Sequence, residues 1–186
     1  CIRDSVGDAR KVFSGLTELL GNRELGDIEP WRRYVKDLKA RYRAGWEEPS
    51  TGRLSPQQVI SKIGECFGPD AIYVTGVGQH QMWSAHFLPM EHPAHWLTSG
   101  GAGTMGYCVP AAMGAKVGCP DSVVVGIDGD GCFQMTNQEL TTCAVNHIPI
   151  KIAIINNNTL GMVRQWQSLF YSRRYSQTDL DSDVVP

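Results

Sequence analysis

A carboxylate in Gly129-Asp130-Gly131 and an amide in Asn156-Asn157, 27 positions later, could grip one hard cation if both stand at the ends of neighbouring strands. Side-chain oxygens of this kind, completed by backbone carbonyls, suit Mg²⁺, which takes octahedral oxygen ligation and commonly bridges protein to phosphate. The amides of Gly131 and Cys132 can donate to that phosphate, and Gly131 has no side chain to hold it off. Asp-Gly-Asp-Gly alone is more often a solvated turn, so the reading rests on the spacing to the asparagines.

Those groups need a frame. Residues 122–127 (SVVVGI) and 150–155 (IKIAII) are short β-branched runs that read as buried strands. Between them Thr136-x-x-Glu139 has the capping-box spacing, and Leu140, Ala144 and Val145 supply an apolar helical face. A right-handed strand–helix–strand unit lays its strands parallel, which brings Asp130 and Asn157 to the carboxyl edge where open α/β sheets bind ligands. Upstream, Pro56 opens a helix with Val59, Ile60, Ile63 and Phe67 inward, and residues 71–75 read as the first strand of the ligand domain. The expected fold class is therefore α/β, doubly wound, with a mainly parallel sheet flanked by helices.

Other stretches are less specific. Gly100-Gly101-Ala102-Gly103 precedes a helix-like stretch, 105–117, but lacks the spacing of a dinucleotide fingerprint, and no P-loop Gly-Lys-Ser/Thr follows any glycine run. Gly161 permits a bend, after which Met162, Val163, Trp166, Leu169 and Phe170 recur at helical spacing; a core-facing amphipathic helix is the default for such a stripe. Taken by itself, Met105 is core filling at a helix start, and His80 a loop histidine satisfied by a neighbour.

Together these residues resemble the acetohydroxyacid synthase (acetolactate synthase) family, in the thiamine-diphosphate-binding domain of its catalytic large subunit. Residues 129–157 are similar to the thiamine-diphosphate motif, and residues 161–171 (GMVRQWQSLFY) resemble the stretch that separates this family from its cofactor relatives. Residues 75–83 (TGVGQHQMW) and 99–107 (SGGAGTMGY) also match, so the similarity runs over roughly 54–180. The resemblance implies Mg²⁺ on the side chains of Asp130 and Asn157 and the carbonyl of Thr159. It implies a diphosphate held by Val77, Gly78, Gln79, His80, Gly131 and Cys132, with Gly161 and Met162 also at the cofactor. Backbone groups near Gly103 and Met105 would bond the aminopyrimidine edge, and the Met105 side chain would wedge beneath the bent cofactor. Helix 161–171 becomes a lid whose Trp166 covers the alkyl group of the acceptor. The implied reaction is decarboxylation of pyruvate and transfer of the two-carbon unit to pyruvate or 2-ketobutyrate, in branched-chain amino acid biosynthesis. A homodimer or higher, FAD in the full-length enzyme and a regulatory small subunit are implied partners. Rivals are another thiamine-diphosphate decarboxylase or carboligase, of pyruvate oxidase or glyoxylate carboligase type, or a non-catalytic nucleotide-binding α/β module. The module leaves the spacing of Asp130 and Asn157 unexplained.

Composition bounds the rest. A chain of 186 residues can bury a real core, and a net charge of −2 with no basic block argues against nucleic acid. No apolar run reaches the ~20 residues of a membrane helix. Six cysteines without a C-x-x-C pair suit a reduced setting, hence cytoplasmic localisation, or organellar if a targeting segment lies upstream. Residues 8–20 and 30–42 read as two amphipathic helices, the second basic and aromatic, and 45–52 as a linker. The expected division is 1–52, the end of a middle domain with its linker, and 53–186, the thiamine-diphosphate domain, truncated at its carboxyl end. Starting at Cys1 and ending at Pro186, the chain reads as a fragment. It offers no match to the glutamate with which the family's neighbouring subunit contacts the pyrimidine. The expectation is that this polypeptide alone binds the cofactor poorly and turns over little.

Overall fold

Four parallel strands carry the fold: β1 (Ile72–Thr75), β2 (Trp96–Thr98), β3 (Val124–Gly129) and β4 (Lys151–Ile155), in the order β2-β1-β3-β4. The structure, a computed structural model, describes residues 6–23, 26–42, 45–46, 52 and 54–180. Most of the expected linker and the expected truncation after 180 lie outside the described residues. The chain forms two compact units, Cys1–Ala44 and Gly45–Pro186.

The first unit holds α1 (Ala9–Leu20) and α2 (Glu29–Arg41). Asp8 caps α1 by accepting from the Lys11 amide at 3.1 Å, and Pro30 sits in the first turn of α2 where its missing N–H costs nothing. Their apolar stripes stay exposed, including Phe13, Leu16, Leu20 and Trp31.

In the second unit, α3 (Pro56–Phe67) starts on a Ser55 cap and buries Ile60, with Ile63 and Phe67 partly buried against the same core. Then follow α4 (Gln79–Phe87), α5 (Cys108–Gly118), the single-turn α6 (Asp130–Phe133), α7 (Glu139–Val145) and α8 (Gly161–Phe170). Alternation along the strands sends Tyr73, Val125 and Ile127 to one face, with Ile60 and Leu88, and Ile72, Val74 and Val124 to the other, with Cys108 and Ala112 of α5. Helices thus cover both faces. The chain leaves β1 for β2 on one side and β3 for β4 on the other, so the topological switch point falls between β1 and β3.

Several expectations need correction. The strand expected at 122–127 lies two residues later, because Asp128 and Gly129 pair with Ile154 and Ile155 instead of turning. Asp130 consequently opens a helix at the strand tip. The second expected strand begins at Lys151 and is a partly exposed edge, not a buried strand. No capping box forms: Thr136 Oγ1 donates to the Gly106 carbonyl at 2.9 Å, and α7 starts from Gln138. Leu140 and Val145 are exposed rather than an inward face. The helix expected from Met105 begins at Cys108, since Gly103 (φ 64°) and Gly106 (φ 83°) hold a left-handed turn around Met105. Gln79 and His80 belong to a helix rather than a loop. The strand β2, which pairs with β1, had no counterpart among the expected elements.

Candidate functional site

The carboxyl ends of β1, β3 and β4 open onto one cleft of about 170 Å³. After β1, Val77 and Gly78 lead into the first turn of α4 with Gln79 and His80. After β3, Asp130, Gly131 and Cys132 form α6; after β4, Asn157 and Thr159 lead into Gly161 and Met162 of α8. Gly103 and Met105 close another wall. Every residue assigned from the sequence to the cofactor, the metal or the acceptor lines this cleft except Trp166. Trp166 is exposed and meets Phe170 edge-on at 5.1 Å between ring centroids.

Helices α4, α6 and α8 all begin at this cleft, and none has a side chain capping its N-terminus. The first amides of a helix have no partner within it, so three sets of N–H groups are left for whatever anion the cleft holds. Beside them stand oxygens for a cation. The Asn157 N–H donates to Asp130 Oδ1 at 3.5 Å, so the two strand tips touch. Asn157 Oδ1 in turn accepts from the Thr159 N–H at 3.1 Å, which bends the loop back on itself. A downstream segment fastens that loop: Thr159 Oγ1 donates to the Thr178 carbonyl at 2.7 Å, and the Leu180 N–H donates to the Asn158 carbonyl at 2.8 Å.

The site fits a magnesium–diphosphate group. A carboxylate, an amide and a carbonyl form a hard oxygen set, with no thiolate or imidazole in it. At Gly131 an added Cβ would sit 3.0 Å from Leu160 Cδ2, 3.1 Å from Leu180 Cδ1 and 3.6 Å from Met105 Cε, so a larger residue would fill the cradle.

Sequence reasoning gave no place in the cleft to Ile155 and Leu160, nor to Trp83 and Val163, which it had named only within matching stretches; these four give the cleft apolar walls. It also passed over Asp128. That carboxylate is fully buried below the cleft, its Oδ1 3.5 Å from His80 Nε2, and neither Asp128 Oδ2 nor His80 Nε2 has a hydrogen-bond partner. The signal was present in Asp-Gly-Asp-Gly, where only the second aspartate was credited. Burial raises the Cys132 thiol above its ordinary range, and its Sγ donates to the Val77 carbonyl at 3.0 Å.

Residues 76–185 match the family described as thiamine pyrophosphate enzyme, C-terminal TPP binding domain. The chain belongs to this family. Thiamine pyrophosphate (thiamine diphosphate) is accordingly the ligand to which the cleft is matched. Among curated relatives, the acetolactate synthase of Mycobacterium avium is 54% identical over 97% of this chain and 30% of its own length. The acetolactate synthase large subunit of Corynebacterium glutamicum is 60% identical over 94% of this chain and 28% of its own. A chloroplastic acetolactate synthase 1 of Nicotiana tabacum is 42% identical over 93% and 26%. The chain thus spans less than a third of the length of these relatives. The parallel α/β sheet opens its strand tips onto the cleft within the matched residues. Among the described residues no helix is long and apolar enough to cross a membrane, and the cysteines at 66, 108, 119, 132 and 143 are free.

Proposed function

We propose that this chain is the cofactor-holding part of an acetolactate synthase large subunit. In that reading it takes part in decarboxylating pyruvate and joining the two-carbon unit to pyruvate or 2-ketobutyrate. The observation that carries the reading is the meeting of three uncapped helix starts with the Asp130–Asn157 contact at one sheet edge. Asp130, Asn157 and the Thr159 carbonyl hold Mg²⁺, and Gly131, Cys132, Val77, Gly78, Gln79 and His80 hold the diphosphate. When bound, thiamine diphosphate supplies the electron sink for loss of carbon dioxide from a 2-keto acid. The protein supplies position and dryness. Gly103 would offer backbone groups to the aminopyrimidine, and Met105, held between the left-handed Gly103 and Gly106, would pack against the cofactor. Met162, Val163 and Leu160 exclude water beside the reacting carbon, which favours loss of a charged carboxylate. Trp166, on the same helix but outside the cleft lining, meets the acceptor when the helix closes over the substrate.

A cleft of about 170 Å³ is smaller than the ~300–1,000 Å³ of a whole small-molecule site, which suits a site completed by a second subunit. A homodimer or higher, an FAD-binding middle domain of which residues 1–52 are the end, a regulatory small subunit and a cytoplasmic or organellar setting belong to the same proposal. Calorimetry tests its core: thiamine diphosphate binds with Mg²⁺ present, loses at least about tenfold in affinity when Mg²⁺ is chelated, and adenine nucleotides do not compete. Asp130→Ala removes the Mg²⁺ dependence. Binding of equal strength with and without the metal would refute the assignment.

A further inference from the structure

Among the described residues no lysine or arginine lines the cleft, so His80 is the one lining side chain able to carry positive charge to an anion. Its ring has two edges, and the glycines packed around it tell them apart. A Cβ added at Gly78 or Gly129, both in the cleft lining, would stand 3.1 Å and 3.0 Å from Nδ1 and Cε1. One added at Gly76, outside the lining, would stand 3.0 Å from Nε2 and overlap Asp128 Oδ1. The Nδ1 edge is therefore on the cleft side, and the Nε2 edge on the side of Asp128. Asp128 is fully buried, and among the described residues its only ion-pair partner is His80, at 3.5 Å. A carboxylate at that depth needs a counter-charge. Ladder pairing with Ile154 and the bond that Oδ1 accepts from the Gly129 N–H at 3.1 Å hold Asp128 in place. The carboxylate is the fixed partner and the imidazole the one that takes its orientation. The Cys132 thiol does not compete for the ring, since it is committed to the Val77 carbonyl.

We propose that Asp128 is a positioning residue for His80: it accepts from Nε2 and so presents the Nδ1–H of the same ring to the diphosphate. The inference rests on the cofactor reading above and adds to it the residue that makes His80 an anion donor. Which ring nitrogen carries a proton is set by the bond the other one makes. With Nε2–H given to Asp128, donation from Nδ1 needs a proton there as well, and only the imidazolium offers both. The ring in an occupied cleft is then a cation between two anions, and Asp128 balances it from below. Charge-assisted bonds of this type run to about 2.7–2.9 Å, so the pair closes by a shift of about 0.7 Å. A neutral residue at 128 would fill the same space without holding that charge.

Inorganic pyrophosphate with saturating Mg²⁺ is the probe, followed by calorimetry and by nitrogen-15 NMR of the histidine rings. In the parent complex both His80 ring nitrogens should show the protonated shift. Asp128→Asn keeps the shape, but its amide donates to Nε2 and displaces that proton. Its complex should show one protonated nitrogen and bind pyrophosphate at least about fivefold more weakly, the difference between a charge-assisted and a neutral hydrogen bond. Gly76→Ala, which crowds Asp128 off the ring with both groups retained, should show the same loss. His80→Asn identifies the ring signals by their absence, and adding Asp128→Asn to it should change affinity by less than about twofold. A merely structural aspartate would instead subtract equally in either background. Near-ultraviolet circular dichroism checks folding, and the ring signature of Asp128→Asn or the loss in Gly76→Ala decides the question by itself. A parent that shows no Mg²⁺-dependent pyrophosphate binding overturns the cofactor reading. Parent binding with unchanged affinity or an unchanged ring signature in Asp128→Asn, or with additive losses in the double variant, overturns the positioning role alone.

Discussion

Replacing Gly161 with alanine sets two physical effects against each other, and the structure says which should win. Gly161 is the first residue of α8, and alanine is the better helix former by up to about 1 kcal/mol. If the helix start served no site, the variant would be more stable. The new Cβ, however, would overlap Gln79 Oε1 and stand 2.8 Å from Asn157 Nδ2. Gln79 is the end of a flexible side chain and can swing away, giving up the 3.1 Å bond that its Nε2 donates to Gln165 Oε1. Asn157 has less freedom, because its Oδ1 holds the Thr159 N–H at 3.1 Å and so sets the loop that carries two of the three proposed magnesium ligands. Disturbing that bond costs about 1 kcal/mol, and crowding adds about 1–3 kcal/mol. The penalty exceeds the helix gain by about 1–3 kcal/mol, which as a binding loss is roughly fivefold to 150-fold. Calorimetric titration of thiamine diphosphate at saturating Mg²⁺, with the melting temperature measured in parallel, reads both sides. A raised melting temperature with cofactor affinity within about twofold of the parent would refute the reasoning.

Four further outcomes are expected. Trp166→Leu should shift the product ratio in a pyruvate/2-ketobutyrate competition toward the pyruvate-derived product while leaving thiamine diphosphate affinity within about twofold; an unchanged ratio removes Trp166 from the acceptor site. Gly126→Ala in β3 places a Cβ 2.5 Å from Ile152 Cδ1 of β4 and 2.8 Å from Cys108 Sγ of α5, and should cost about 1–3 kcal/mol in denaturant unfolding. Burial, with lesser contributions from neighbouring charges, pushes the Cys108 thiol above the ordinary range, so iodoacetamide followed by mass spectrometry should label the exposed Cys66 and Cys119 first and Cys108 only on unfolding. Gln167→Ala removes the bond from its Nε2 to the Ser176 carbonyl at 3.0 Å and two that its Oε1 accepts, and should speed tryptic cleavage at Arg173 and Arg174; an unchanged digestion rate would show that the return segment holds without it.

The strands around the cation site were legible because β-branched runs with turn residues at their ends leave few alternatives, and two of them bracket a helix of the right length. Their ends were not. Asp128 is hydrophilic by type, so it read as turn, yet ladder pairing with Ile154 carries it into the interior. Only the three-dimensional neighbourhood, with His80 arriving from 48 positions upstream, makes such a burial tolerable. The capping box failed for a similar reason: Thr136 finds a carbonyl 30 residues away in Gly106, a tertiary partner that spacing cannot foresee. At 96–98 the strand is three residues long, too short for a period to show. Every cleft residue named in advance came from loops and helix starts just past strand ends, where glycine, asparagine and aspartate carry most of the information.

The three successive positions 165–167 have separate duties. Gln165 accepts from Gln79 of α4, Trp166 is exposed, and Gln167 clasps a return segment in which Ser172, Arg173 and Gln177 adopt positive φ values of 53°, 59° and 54°. Such backbone is tolerated only while something holds it, and the same return reaches Thr159. Transplanting this tripeptide from a cousin with different tastes in substrate would therefore alter recognition and scaffolding at once. A chimera that lost activity would say nothing about selectivity until its tail had been shown to remain fastened.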